Sequence, residues 1–279
     1  MKKVIAIGAL GGSGTRAIAR ILMDAGLYLG DHLNAPLDNL IFTRLFRNRD
    51  FRATASPEAI DRRLGVFQEY MESNHLSLAS AGILFKTRAD GLGLMERVRF
   101  HARLLEKTLG PVRHRETWGW KEPNTHIYLS EIDACFDNLK YLHVLRHGLD
   151  MAFSDNKMQL FNWGPRYGIE LAADMPEDEK SYKQLEYWIR TTRDVMEKAK
   201  TLRGDLLMVN HSRLCAAPGR EVDHILDFLG LDMPNARRAA LHRIPRTPGT
   251  SGRYRKHDLG IFDQRQIDFV KDMGFEVKA

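Results

Sequence analysis

The chain has 279 residues, 43% hydrophobic and 28% charged, enough apolar material to close one large core, as one domain or one domain with a cap. Its net charge of +6 and pI near 9.3 favour an anionic ligand. Two cysteines, Cys135 and Cys215, lie far apart without C-x-x-C spacing, which excludes a disulfide framework and a zinc site and points to buried thiols in a reducing compartment.

Lys2 and Lys3 precede an apolar run, Val4 to Leu10, that is too short for a signal core. No other stretch approaches the roughly 20 apolar residues that a bilayer crossing needs, so a cytoplasmic protein is expected, with no membrane partner. Lys3 to Ala9 reads as a short buried strand that runs into Gly11-Gly12-Ser13-Gly14-Thr15-Arg16, and helical spacing follows from Thr15 to Ala25 with Gly26 as its stop. Strand, glycine-rich turn and helix N-terminus together form a cradle for phosphate, because unpaired N–H groups and the helix dipole both face the anion. Ser13, Thr15 and Arg16 add side-chain donors. A Walker loop would place lysine where Gly14 stands, and a dinucleotide site would need an acidic residue on a second strand that residues 34–37 do not form.

The connection 27–34 leaves the carboxyl edge of this unit, where ligands sit in open α/β sheets, and places Asp31, His32 and Asn34 near the cradle. A helix is expected over 36–46, another from the Ser56-Pro57-Glu58 start to Met71, and a third over 94–109. Residues 77–92 are glycine-rich and carry no clear pattern. A short strand ends in Trp120-Lys121-Glu122-Pro123 and a helix is expected over 125–136. Leu139 to Leu145 is a buried strand that delivers Arg146 to its end, and Arg146 to Ser154 turns into a helix in which Asp150 either caps the first turn or holds the arginine. Residues 161–178, with Trp163, Pro165 and Tyr167, read as a lid or substrate wall. A long helix over 179–200, a strand over 206–209, a helix over 219–229 and a final helix capped by Asp263 complete the chain, with a basic segment at 243–256. Alternating strands and helices predict an α/β fold: one domain over 1–279 with a central parallel sheet flanked by helices. Within it, 35–115 and 161–178 are expected as substrate-pocket insertions.

Ser13-Gly14-Thr15 after the first strand, Arg146 and Ser154 eight positions apart after a central strand, Lys121-Glu122-Pro123, and the segment ending Asp227-Phe228-Leu229-Gly230-Leu231 resemble the sulfotransferases that use 3′-phosphoadenosine 5′-phosphosulfate. The resemblance implies a P-loop NTPase-like architecture and that nucleotide as sulfuryl donor, with no metal. It implies that Gly11, Gly12, Ser13, Gly14, Thr15 and Arg16 hold the 5′-phosphosulfate and that Arg146 and Ser154 hold the 3′-phosphate. Arg253 and Arg255 loosely match the basic segment with which members close that site. Lys121 would stabilise charge on the transferring group. Asp31 is the first choice as base and His32 the second, with Glu122 and Asp38 as outside candidates. The chain departs from the family pattern at Gly12, where members often carry lysine or arginine, and at His211-Ser212-Arg213-Leu214, where members carry a tyrosine near the adenine. A small-molecule kinase and a non-catalytic nucleotide- or nucleic-acid-binding protein are the rival readings, the last resting on 243–256. The acceptor class stays open among metabolite, sugar, lipid and peptide.

Overall fold

A computed structural model describes residues 3–87, 94–172 and 174–278. Four strands, β1 (Lys3–Ala9), β2 (Thr117–Lys121), β3 (Leu139–Leu145) and β4 (Asp205–Asn210), pair in parallel in the order β2-β1-β3-β4. The pleat of β1 divides the core. Val4 and Ala6 face a large aromatic cluster with Trp118, Trp120, Tyr141 and Trp188, while Ile5, Ile7 and Ala9 face an aliphatic cluster with Ile18, Leu22, Leu142 and Leu226. Both faces are therefore covered by helices, as the apolar runs of β1 and β3 require. The register sets Ile7 beside Lys121, Ala9 beside Val144 and Leu145 beside Asn210. The strands thus end in step, and residues 10–16, 121–122, 146–147 and 211 gather along one edge.

Several helices differ from expectation. The helix expected over 36–46 starts at Leu40, because Asn39 caps it: its side-chain oxygen accepts from the amides of Ile41 (3.1 Å) and Phe42 (3.0 Å). Leu37 has φ 68°, and Asn34 accepts from the Asp38 amide at 2.7 Å, so 34–38 is a tight turn. The expected 125–136 helix divides into a 3-10 turn, Pro123–Tyr128, and a helix, Leu129–Cys135. Leu78–Lys86 is helical within the stretch that showed no pattern, and the remainder of that stretch, 88–92, lies outside the described residues. Residues 158–167 form a short helix, Met158–Trp163, and a 3-10 turn, Gly164–Tyr167, in place of an irregular wall. Three further helices, Arg49–Thr54, His211–Ala216 and Asn235–Leu241, were not expected. Among the described residues no helix is long and apolar enough to cross a membrane.

Beneath the strand ends, His126 and His143 stack edge to face at 6.0 Å, with His143 Nδ1 3.0 Å from the Tyr141 hydroxyl. Burial pushes both imidazoles down to about 3. A depressed histidine contributes stability that is intact above the unfolded value near 6.5 and is lost as pH falls toward 3. NMR titration is expected to find both rings neutral down to pH 5. The unfolding free energy should fall below pH 6.5 by up to about 1.4 kcal/mol per pH unit for each ring. A second expectation concerns β2, where a Cβ on Gly119 would lie 2.4 Å from the Ile5 carbonyl oxygen. Gly119→Ala should cost about 1–3 kcal/mol in urea unfolding.

Candidate active site

The cradle after β1 is built by two left-handed glycines, Gly12 (φ 87°) and Gly14 (φ 89°), and closed by Ser13 N–H donating to the Leu10 carbonyl at 3.1 Å. The helix that follows, Thr15–Asp24, has no side-chain cap and no acidic residue in its first turn. Its terminal amides are therefore left for a ligand. Gly14 is required twice over, since a Cβ there would also meet the His211 ring at 2.1 Å. His211 is thus a wall of the cradle; burial, then Arg146, push its imidazole down to about 4.

Lys121, at the end of β2, is 1% exposed. Its ammonium is ion-paired with the Asp38 carboxylate and donates to the Pro36 carbonyl at 2.6 Å, which leaves one proton for a ligand. Burial lowers its pKa against the upward pull of Asp38. Glu122 beside it accepts from Asn124 N at 2.6 Å and Asn124 Nδ2 at 2.9 Å, and burial, aided by Asp38, pushes its carboxyl up to about 7. Gln159 completes this wall: its amide donates to Asn124 Oδ1 at 2.6 Å, and its oxygen accepts from Gly11 N at 2.5 Å.

Arg146 spans the far side. It donates to the Gly12 carbonyl at 3.0 Å and to the Thr250 hydroxyl at 2.7 Å. Its Nε and the Ser13 hydroxyl are both buried without a partner. Two orphaned donors beside open helix amides fit an anion carrying several oxygens. The cleft bounded by the cradle, Lys121, Glu122 and Arg146 encloses about 500 Å³. An adjoining cavity of about 430 Å³ shares Gly14, Arg16 and Pro248 with it and is walled by Ala17, His211 and Ile244 together with Arg20 and Arg246, a size suited to a nucleobase.

Gly11, Gly12, Gly14, Thr15, Arg16, Lys121 and Arg146 thus line one cleft, with Ser13 buried in the loop beneath it. Of the base candidates, Asp38 and Glu122 also line this cleft, whereas the remaining residues singled out in the sequence lie elsewhere. Asp31 pairs with Lys107 Nζ at 2.7 Å; burial works against its ionisation, but Lys107 and Tyr28 hold its pKa below the usual carboxylate value. His32 is buried, with its ring edge on Tyr70 and Phe100. Neither lines the cleft; the turn at 34–38 carries the chain past them and brings Asp38 to Lys121. Ser154 follows the helix Gly148–Ala152 instead of standing in its first turn, because that helix ends at Phe153. Asp150 does not cap that helix, and it acts on Arg146 through its charge without a hydrogen bond or ion pair. It accepts from the amides of Gly252 (2.9 Å) and Tyr254 (3.4 Å), and so anchors the basic segment. Arg253 donates to the Phe153 carbonyl at 3.3 Å, on the Ser154 side, while Arg255 lines a separate cavity with His147 and Cys215. The roles of Gln159, Asn124 and Ile244 were not legible, since none belongs to a motif. Among the described residues no cluster of three or more His, Cys, Asp or Glu side chains has the geometry to hold a metal.

Fold and cleft together define an α/β protein whose strand ends open into a cleft lined by backbone amides and basic side chains. The sulfotransferase family model matches residues 5–235, and the chain belongs to that family. Its fold is similar to the sulfotransferase domain of the Synechococcus PCC 7002 olefin synthase, with 17% identity, TM-score 0.53, and 100% of this chain and 98% of that one covered. It is also similar to the sulfotransferase domain of the curacin biosynthetic pathway, with 12% identity, TM-score 0.51, and coverage of 100% and 99%. A sequence comparison with curated proteins returns no match.

Asp31→Asn is expected to weaken the surface tie to Lys107 by less than about 1 kcal/mol. Anion binding in the cleft should stay unchanged in calorimetry.

Proposed function

We propose that this sulfotransferase takes 3′-phosphoadenosine 5′-phosphosulfate as donor and transfers its sulfuryl group in line to a hydroxyl or amine acceptor. The observation that carries the reading is the convergence in one cleft of an open cradle, a buried Lys121–Asp38 pair and Arg146, whose Nε is unpartnered, with the unpartnered Ser13 hydroxyl in the loop beneath. The cradle amides with Thr15 and Arg16 hold the 5′-phosphosulfate, and Arg146 holds the 3′-phosphate, helped by Arg253 and Ser154. The adenine occupies the cavity between Ala17, His211 and Ile244. His211 supports the base by packing, in place of the tyrosine that other members carry.

Asp38 is the base. It alone among the acidic candidates reaches both the cleft and Lys121, and it accepts the acceptor's proton as the new O–S or N–S bond forms. The bond from sulfur to the bridging phosphate oxygen breaks, and the charge on that oxygen is met by the third proton of Lys121 and by Arg16. Asp31 and His32 are withdrawn from this role on distance and packing. The acceptor side draws on Arg47 and Arg49 from the segment 35–115 and on Asn162, Trp163 and Arg166 from 161–178.

A small-molecule kinase is the second reading, disfavoured by Gly14 at the position of the Walker lysine. Calorimetric titration separates the two. Adenosine 3′,5′-bisphosphate should bind in the micromolar range and at least tenfold more weakly to Arg146→Ala, with ATP giving no heat; ATP binding without bisphosphate binding would overturn the donor. In turnover with an acceptor found by screening, Lys121→Ala and Asp38→Asn should each lower kcat by about 10² or more with bisphosphate affinity retained. Asp31→Asn should stay near the wild type.

A further inference from the structure

Beyond the cradle the cleft continues into a basin that the donor does not need. Its outer flank is Arg47 and Asn162, and Asn162 also lines a second cavity of about 560 Å³ with Arg49, Arg52, Arg166 and Trp163. The only carboxylate on this lining is Asp50, whose side chain is 89% exposed and lies 3.8 Å from Arg49. Arg52 is committed to the fold, paired with Glu131 at 2.8 Å and lying 4.9 Å over the Tyr128 ring. Arg47 and Arg166 form no ion pair among the described residues, although Arg47 acts on the nearby Glu122 carboxyl and Arg166 on the Tyr167 hydroxyl; Arg49 has the exposed Asp50 and the Phe161 ring at 5.9 Å. Arg49 and Arg166 therefore face one concave, partly aromatic space, and Arg47 stands in the adjoining cleft that shares Asn162 with it.

This charge lies on the flank away from the nucleotide. The donor's anionic groups are served by the cradle, Arg16 and Arg146, and its base by the cavity that shares Gly14, Arg16 and Pro248 with the cleft. The cleft meets this basin at Asn162, on a lining that also carries Lys121, Asp38 and Arg47, none of which lines the nucleotide-side cavity. Uncompensated arginines at a concave site repel one another unless an anion joins them, and their forked donors match phosphate, sulfate or carboxylate oxygens.

Resting on the proposed donor reading, we infer that the acceptor is an anionic hydroxyl compound, whose phosphate, sulfate or carboxylate is held by Arg49 and Arg166, with Arg47 guiding the reacting end to Asp38. The anion anchors the molecule, and Trp163 and Asn162 flank the part between anchor and hydroxyl. Arg49 and Arg166 set acceptor affinity and specificity; they do not touch the transferring group.

The test titrates inorganic pyrophosphate into the protein saturated with adenosine 3′,5′-bisphosphate, and separately without it, for the wild type and for Arg49→Ala/Arg166→Ala. Both arginines are exposed, so the double variant should fold, and an unchanged bisphosphate affinity verifies it. Expected is submillimolar pyrophosphate binding that weakens at least tenfold in the double variant and is largely recovered in Arg49→Lys/Arg166→Lys. Equal binding to wild type and double variant, or no binding to the wild type, overturns the basin. Failure of the bisphosphate to bind overturns the donor reading, while the difference between the two proteins in pyrophosphate alone still decides the basin.

Discussion

A buried ammonium needs a partner, and at the end of β2 that requirement organises the site. Lys121 is removed from water by the sheet and by the turn at 34–38, and the cost of burying its charge is offset by Asp38 and the Pro36 carbonyl. The same turn is tied to β2 by the Asn39 amide on the Lys121 carbonyl at 2.8 Å, and to the chain before it by Asn39 Nδ2 on the Leu29 carbonyl at 3.0 Å. One ion pair therefore fixes where the loop crosses the strand ends, and that crossing selects which acidic residue meets the cleft.

The facing wall is left incomplete in a complementary way. The cradle helix starts without a cap, Ser13 and Arg146 keep donors unsatisfied, and Gln159 and Thr250 supply oxygens to groups that otherwise face open space: the Gly11 amide and the Arg146 guanidinium. Buried side-chain atoms without partners occur elsewhere in the chain as well, but beside the cradle they coincide with an uncapped helix start and an open cleft, the setting an anion would complete. Asp150 holds the basic segment over this region through two backbone amides, so the segment is shaped by the fold and not left as a free arm for nucleic acid.

Basic side chains stand on both sides of the cleft. The cavity beside the cradle carries Arg16, Arg20 and Arg246 with apolar Ala17, Leu37 and Ile244, and the cavity beyond Asn162 carries Arg49, Arg52 and Arg166 with Trp163. The two sides meet at Lys121 and Asp38. A chain with net charge +6 thus concentrates part of its excess where two anionic molecules would be brought into line.

The local elements were legible in the sequence because their causes are local. The apolar runs of β1 and β3, the glycines of the cradle, the Ser56-Pro57 start and the Asp263 cap depend on neighbours a few residues away, and all appear in the structure. The motif spacing carried the family, and the cradle, Lys121 and Arg146 with it. What the sequence did not decide was which side chains from separate segments would face the same space. Asp31 sits where spacing alone puts a base, but Lys107, 76 positions on, captures it at 2.7 Å, and Asp38 pairs with a lysine 83 positions away. Gln159 against Gly11, His211 against Gly14 and Arg166 beside Arg49 likewise arise only when the strands align. Propensity and caps act over a turn of chain, whereas the pairing of charges across a cleft is settled by the register of the sheet and by which burial leaves fewest groups unmet.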